Sequence, residues 1–214
     1  MIKADRIRGK NDKQIILMVK NIKQKGQKKR KLIIEHAKNE LLIHGVNSLS
    51  LRKISSELGI SHGNLHYYFK TKNHLLLDIF NEEINKLNKS ISHSTNKNSS
   101  IEENTRSLIN AILNDTLDPS IQLWLVLIGE SISNNNLVSF IKDENNLYEA
   151  VLANQIKVIN TKISDNDSKY LAKYIRCLID GFCIELIYAD TKSQIFKKFY
   201  SDLKTDLVNL IIKA

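Results

Sequence analysis

One proline and seven glycines in 214 residues leave little material for turns. Their scarcity excludes loop-rich sandwiches and barrels, and with Leu, Ile, Lys and Asn abundant it points to long helices joined by short polar links, an all-α fold. Two cysteines are too few for a disulfide-stapled small fold. Cys177 and Cys183 lie six apart in an apolar stretch, a spacing that turns them to different sides of a helix. Neither a mutual disulfide nor a metal site is favoured, and buried thiols are expected. No apolar run reaches the ~18 residues of a membrane span, the longest being Leu123 to Gly129, and the first residues lack a signal-type apolar block. A cytoplasmic protein without a membrane partner is expected. Catalytic patterns are missing as well: there is no glycine-rich phosphate loop, and His36, His44, His62, His66, His74 and His93 all fall in the N-terminal half. Neither an enzyme, a cofactor nor a bound metal is expected.

What the chain does have is an uneven charge. The net +9 divides so that residues 1 to 31 alone hold twelve Lys and Arg against Asp5 and Asp12, a local +10, while the rest is nearly neutral. A concentrated positive segment is the footprint of a polyanionic partner. With 42% hydrophobic residues the chain can also bury a core.

Beside that segment lies Ser50 to Lys72, SLRKISSELGISHGNLHYYFKTK. Leu51, Ile54 and Leu58 recur on one helical face, and Gly59 follows where a helix stops in a left-handed residue. Ile60 can turn back onto the first helix, Ser61 is a cap candidate, and Leu65 with Phe69 gives a second helix a buried face. The pattern predicts a helix-turn-helix. Its outward positions, His62, Gly63, Asn64, His66, Tyr67, Tyr68, Lys70 and Lys72, include donors to phosphates and base edges and no carboxylate. His62 and His66, four apart, share a face that could hold a metal, but contact with nucleic acid is the favoured reading.

Gly59, Ile60, Ser61, Gly63, Leu65, His66, Tyr68, Phe69, Lys72, Leu75 and Leu76 resemble the signature of TetR-type repressors over roughly residues 28 to 80. His66 and Asn64 depart from the commoner residues, which bears on the operator and not on the fold. The resemblance implies a homodimer on double-stranded DNA. It places Arg52 where such proteins reach a guanine, and Arg suits a bidentate contact with that base. His62, Gly63 and Asn64 form the first turn of the reading helix and complete the base-contact set. Ser50, Ser61, His66, Tyr67, Tyr68 and Lys72 are the matching phosphate contacts.

Residues 1 to 27 read as a basic extension that is either a solvated tail or an arm along the minor groove. Met18 is a second candidate start. A bracing helix is predicted over Lys28 to His44, stopped by Gly45. Residues 28 to 90 form the reader with its linking helix, capped by Thr71. The polar stretch 88 to 100 marks a boundary. Beyond it five helices are expected, near Ile101 to Leu117, from Asp118 and Pro119, over Asn136 to Thr161, from Asp165 or Asp167 to about Tyr188, and from Thr191 or Lys192 to about Ile212, about nine in all. The second of these, nearly all apolar over Ile121 to Ser131, is expected to be buried on most sides.

In this body, residues 100 to 214, Trp124 in an apolar helix, a long helix, and Leu178-Ile179-Asp180-Gly181 resemble the choline-responsive BetI-type subgroup. A small-molecule effector is implied, with Trp124, Phe140, Tyr148, Tyr174 and Glu130 as pocket candidates. Aromatics at helical spacing also serve as plain core. Ile175, Ile179, Phe182, Phe199, Leu203, Leu207 and Leu210 give the last two helices apolar faces longer than one domain needs, which predicts a two-fold four-helix interface. An alternative keeps the DNA-binding unit and gives the body a protein partner.

Overall fold

The structure is a computed structural model that describes residues 12–96, 98–118, 121–132 and 134–214, with side chains from residue 24 onward. The arm or tail reading of residues 1 to 11 and the helix start at Pro119 lie outside the described residues. Among the described residues every regular element is helical, as the composition predicts: α1 (Asp12–His44), a 3₁₀ turn (Val46–Ser48), α2 (Leu51–Glu57), α3 (His62–Tyr68), α4 (Lys72–Ser92), α5 (Ile101–Thr116), α6 (Ile121–Ser131), α7 (Asn135–Ile159), α8 (Asp165–Glu185) and α9 (Gln194–Ile212).

Two compact units are present, Met1–Ile79 and Phe80–Ala214, and the division falls inside α4. In the first, α1 begins at Asp12 and not at Lys28. The helical signal is already present before Lys28, where Ile15, Met18, Val19 and Ile22 recur at i, i+3, i+4 and i+7 between Lys and Gln, both good helix formers. Ile33, Ile34, Ala37 and Leu41 of α1 then meet Leu49, Ile54, Leu65, Phe69, Leu75, Leu76 and Ile79 in a closed core. Gly45 ends α1 at φ 72°, ψ 177°, a region open to glycine alone.

In the second unit α5, α7, α8 and α9 enclose a core that includes Leu108, Ile112, Leu152, Ile156, Ile175, Phe182, Leu207 and Ile211. The helix starts are set by serines: Ser100 closes a capping box with Glu103, Ser164 caps α8, which opens at Asp165 as expected, and Ser193 caps α9, which starts at Gln194 and not at Thr191 or Lys192. The polar stretch 88 to 100 holds the end of α4, where Asn88 and Ile91 are buried. α6 is less enclosed than its composition predicts, with Leu123 and Leu127 buried and Ile128 exposed. Cys183 is buried, but Cys177 is exposed. Their six-residue spacing turns one thiol inward and the other out. Burial lifts the Cys183 thiol to about 12, far from a reactive thiolate. No helix among the described residues is long and apolar enough to cross a membrane.

Candidate nucleic-acid interface

The two short helices form because their ends are satisfied locally. Ser50 caps α2 by accepting from the Lys53 amide, and Ser61 caps α3 by accepting from the Asn64 amide at 3.2 Å. Between them Gly59 takes φ 60°, and the Ile60 amide returns to the Ser55 carbonyl at 2.9 Å. That closes the turn and aims α3 away from α2. Seven-residue helices do not persist alone, so packing holds them: Ile54 from α2, Leu65 from α3 and Phe69 just past it are fully buried, each contributing about 1.5–3 kcal/mol.

Two polar clamps, invisible to sequence reasoning, fix this core. On one side the Arg30 guanidinium binds Asp78 at 2.5 Å and stands 5.6 Å over the Phe69 ring. On the other the Lys53 ammonium bonds Glu40 and lies 3.8 Å from Glu57, whose other oxygen meets His36 Nε2 at 2.7 Å. The bond from Lys53 holds the Glu40 carboxyl below its usual range, and the same bond raises Lys53. His36, Glu40 and Glu57 bring ligand atoms within 4.8 Å of one another, the geometry of a metal site, but Lys53 is the cation already placed among them. Partners 48 and 13 residues apart leave no periodic signal to read.

With the apolar positions turned inward, His62, Gly63, Asn64 and Tyr67 of α3 face solvent, Tyr67 at 77% exposure. Arg52 is exposed on α2, and Ser50 and Ser61, exposed at the helix starts, have their hydroxyls committed to capping. His66 is half-buried, its Nε2 at 2.9 Å from that of His62, within hydrogen-bond reach. Tyr68 is half-buried, edge-on to Tyr67 with centroids 5.2 Å apart, and its hydroxyl lies beside Gly26 of α1. Lys72 differs from expectation: its ammonium donates to the Val46 carbonyl at 2.6 Å, which ties the start of α4 to the 3₁₀ turn and draws the charge inward. The first turn of α3 is thus bare of acidic groups, convex and rich in donors. A surface of that kind can enter a major groove and meet phosphates on either side.

The body residues separate into three groups. Tyr148 is buried in the core that α8 helps to form, where burial first and the Asp180 charge second push its hydroxyl up, and Trp124, half-buried on α6, eases the rise that burial imposes on the Asp180 carboxyl. Phe140 and Glu130 are half-buried. Tyr174 does not join the cluster, because it is exposed and stacks on Tyr170 with centroids 6.2 Å apart. Of the interface candidates, Ile175, Ile179, Phe182 and Leu207 are spent in the subunit's own core, whereas Phe199 is 42% exposed and Leu203 and Leu210 are half-exposed. Phe182 is the floor of an open groove of about 370 Å³ whose walls are Leu178, Gly181, Glu185, Phe199 and Leu203.

Residues 33–79 match the family model described as bacterial regulatory proteins, tetR family. No curated protein gives a significant match. Among solved structures the fold is shared with a transcriptional regulator from Saccharomonospora viridis in complex with choline (21% identity, TM-score 0.66, 86% of this chain and 96% of that one). It is shared also with Salmonella enterica GusR (17%, 0.68, 85% and 94%) and a TetR transcriptional regulator from Legionella pneumophila (21%, 0.62, 82% and 92%). At these identities the likeness is one of fold. Over residues 33–79 the helix-turn-helix unit described above is that of the tetR family of bacterial regulatory proteins.

Proposed function

We propose that the protein is a homodimeric, cytoplasmic transcriptional repressor that binds a palindromic operator through α3 and leaves it when a small molecule occupies the body. The observation that carries this reading is the exposed first turn of α3, free of carboxylates and held by a closed core and two clamps. Arg52, His62, Gly63 and Asn64 read bases. Ser50, Ser61, His66, Tyr67 and Tyr68 grip phosphates, and Lys72 would have to leave Val46 to join them. Two copies must present their reading helices about 34–36 Å apart, which requires a symmetric interface. The groove on α8 and α9 supports one, because Phe199, 42% exposed, and the half-exposed Leu178 and Leu203 line it with apolar side chains open to water.

An effector is supported by Trp124 beside Asp180, an aromatic next to a carboxylate, the pairing that attracts a cation. Choline, bound by the Saccharomonospora viridis protein, is such a cation. Selection of duplexes from a random pool by the full chain tests the reading. Enrichment of an inverted repeat, bound by a species of twice the monomer mass in sedimentation, is the expected result. No enrichment, or binding by a monomer, overturns it.

A further inference from the structure

The structure divides the six histidines by what their rings meet. His36 lies 2.7 Å from Glu57, His44 and His74 stand 4.0 and 3.9 Å from Glu40 and Asp78, and Nδ1 of His93 is 2.7 Å from the Lys89 carbonyl. Each of those four has an oxygen for a partner. His62 and His66 pair instead with each other, Nε2 to Nε2 at 2.9 Å, their rings nearly perpendicular at 84° and their centroids 4.3 Å apart. The frame behind them is fixed: they stand one turn apart on α3, whose start Ser61 caps and whose Leu65 is fully buried, and α3 carries no carboxylate to draw either ring away.

Two nitrogens facing each other at that distance have the bite of a chelate. With metal–nitrogen bonds of about 2.0–2.1 Å, ligands at right angles stand about 2.8–3.0 Å apart, and ligands at the tetrahedral angle about 3.3–3.4 Å. The observed 2.9 Å falls in the first range, which suits square-planar or octahedral Ni²⁺ and Cu²⁺. A neutral imidazole that keeps its proton on Nδ1 offers a lone pair at Nε2, so binding asks only that both protons sit on Nδ1. His62 is exposed, which leaves the other positions on the ion to water.

We propose that His62 and His66 together hold a divalent nickel or copper ion, and that the ion and DNA exclude each other on α3. The exclusion rests on the repressor reading above, and the metal site does not. An Nε2 committed to a metal cannot contact a base edge or a phosphate, and the ion brings its bound waters to the turn that has to enter the groove. Such an ion acts on the reader directly, without passing through the body.

Calorimetric titration of the untagged full-length protein with nickel chloride, and with magnesium chloride as a hard-ion comparison, tests the site without DNA. Nickel should bind saturably and magnesium should not. His62→Ala and His66→Ala should each weaken nickel by at least the roughly 10–100-fold that loss of even an outer hydrogen-bond partner costs a metal ligand. His36→Gln, which alters the histidine beside Glu40 and Glu57, should leave nickel affinity as it was. Without nickel His62→Ala, at an exposed position, should melt with the wild type, so lost binding is not misfolding. On the selected operator, saturating nickel should weaken binding about 5–150-fold, the range of a coupling between two sites, and EDTA should restore it. Absence of nickel binding, full nickel affinity in either alanine variant, weakened nickel binding in His36→Gln, or operator affinity that nickel leaves unchanged or raises overturns the proposal. A metal-free protein that selects no operator sinks the repressor reading and the exclusion with it, while the nickel titration still decides the site.

Discussion

Gly63 separates the demands of folding from those of DNA reading. It sits at the second position of α3 with a negative φ, and a methyl group built there meets no atom within 4 Å. Neither backbone conformation nor packing asks for glycine, and in a helix glycine costs about 0.5–1 kcal/mol relative to alanine. Gly63→Ala should therefore stabilise the free protein by about that amount, which for a unit of this size is a rise in melting temperature of ~2–8 °C. On DNA the sign reverses. In the proposed docking the first turn of α3 approaches base edges, where a methyl group would hold the helix off, so affinity for the selected operator should fall about ten-fold.

Gly59→Ala is the control, because Gly59 also has open space around it but stands at φ 60°. Its cost is conformational alone, about 1–2 kcal/mol, and destabilising. Urea titrations followed by far-UV circular dichroism at one fixed protein concentration, with mobility shift on the same samples, read both effects. If Gly63→Ala destabilises the protein, the local structure of α3 is wrong. If it stabilises and operator affinity holds, the backbone of α3 does not come close to DNA and the docking is wrong.

Asn64→Ala and Arg52→Ala should each cost about 1–3 kcal/mol on the operator and little on random DNA in competition binding, and equal losses on both would take them out of base reading. Phe199→Glu should sediment as a monomer, since a charge cannot be left unpaired in an apolar interface, while Ile175→Ala should lower stability by about 2–5 kcal/mol through a core cavity; a dimeric Phe199→Glu puts the interface elsewhere. Lys72→Met should lower stability by removing the bond to Val46 and leave the salt dependence of DNA binding unchanged; a slope reduced by about one would return Lys72 to the phosphates. Burial raises the Asp115 carboxyl above its ordinary 3.8, so the folded state holds that proton more tightly than the unfolded one and stability falls as pH climbs above ~3.8; Asp115→Asn should flatten the fall in urea midpoints between pH 4 and 7, and an unchanged profile would refute the shift.

The reading unit was legible in the sequence because its determinants are local. Ser50 to the Lys53 amide, Ser61 to the Asn64 amide and Gly59 in its turn each act within three residues, and such short-range signals survive without knowledge of the fold. What escaped is held over distance. Arg30 with Asp78, Lys53 with Glu40 and Lys72 with Val46 join chain positions that no period links, and each pair is chosen by where the closed core happens to bring it. The start of α1 is a different case: Ile15, Met18, Val19 and Ile22 recur at helical spacing within the basic stretch, so the signal was local and the dense positive charge around it masked it.

In the last two helices the stripe was seen and its meaning was divided. At about 100° per residue, Ile211 and Val208 of α9 lie about 40° and 100° to one side of Leu207, and Leu203, Leu210 and Phe199 about 40° to 80° to the other. The first side is core, and the second is half-exposed. One apolar arc of about 180° thus runs from core to half-exposed surface, and its width, more than its length, is what supports the proposed interface. On α8 the same projection places Ile175, Phe182 and Ile179 within about 40° of the core direction, Leu178, Glu185 and Gly181 about 60° to 120° toward the groove, and Arg176 and Asp180 about 100° to 140° the opposite way. Those are three faces: the core, the apolar groove that the proposed dimer would use, and the ion pairs of Arg176 with Asp180 and Glu149. Sequence pattern alone merges the first two, because both are apolar, and hides the third, because Arg176 and Asp180 look like an ordinary i,i+4 surface pair until Glu149 of α7 is found on the same guanidinium at 2.7 Å.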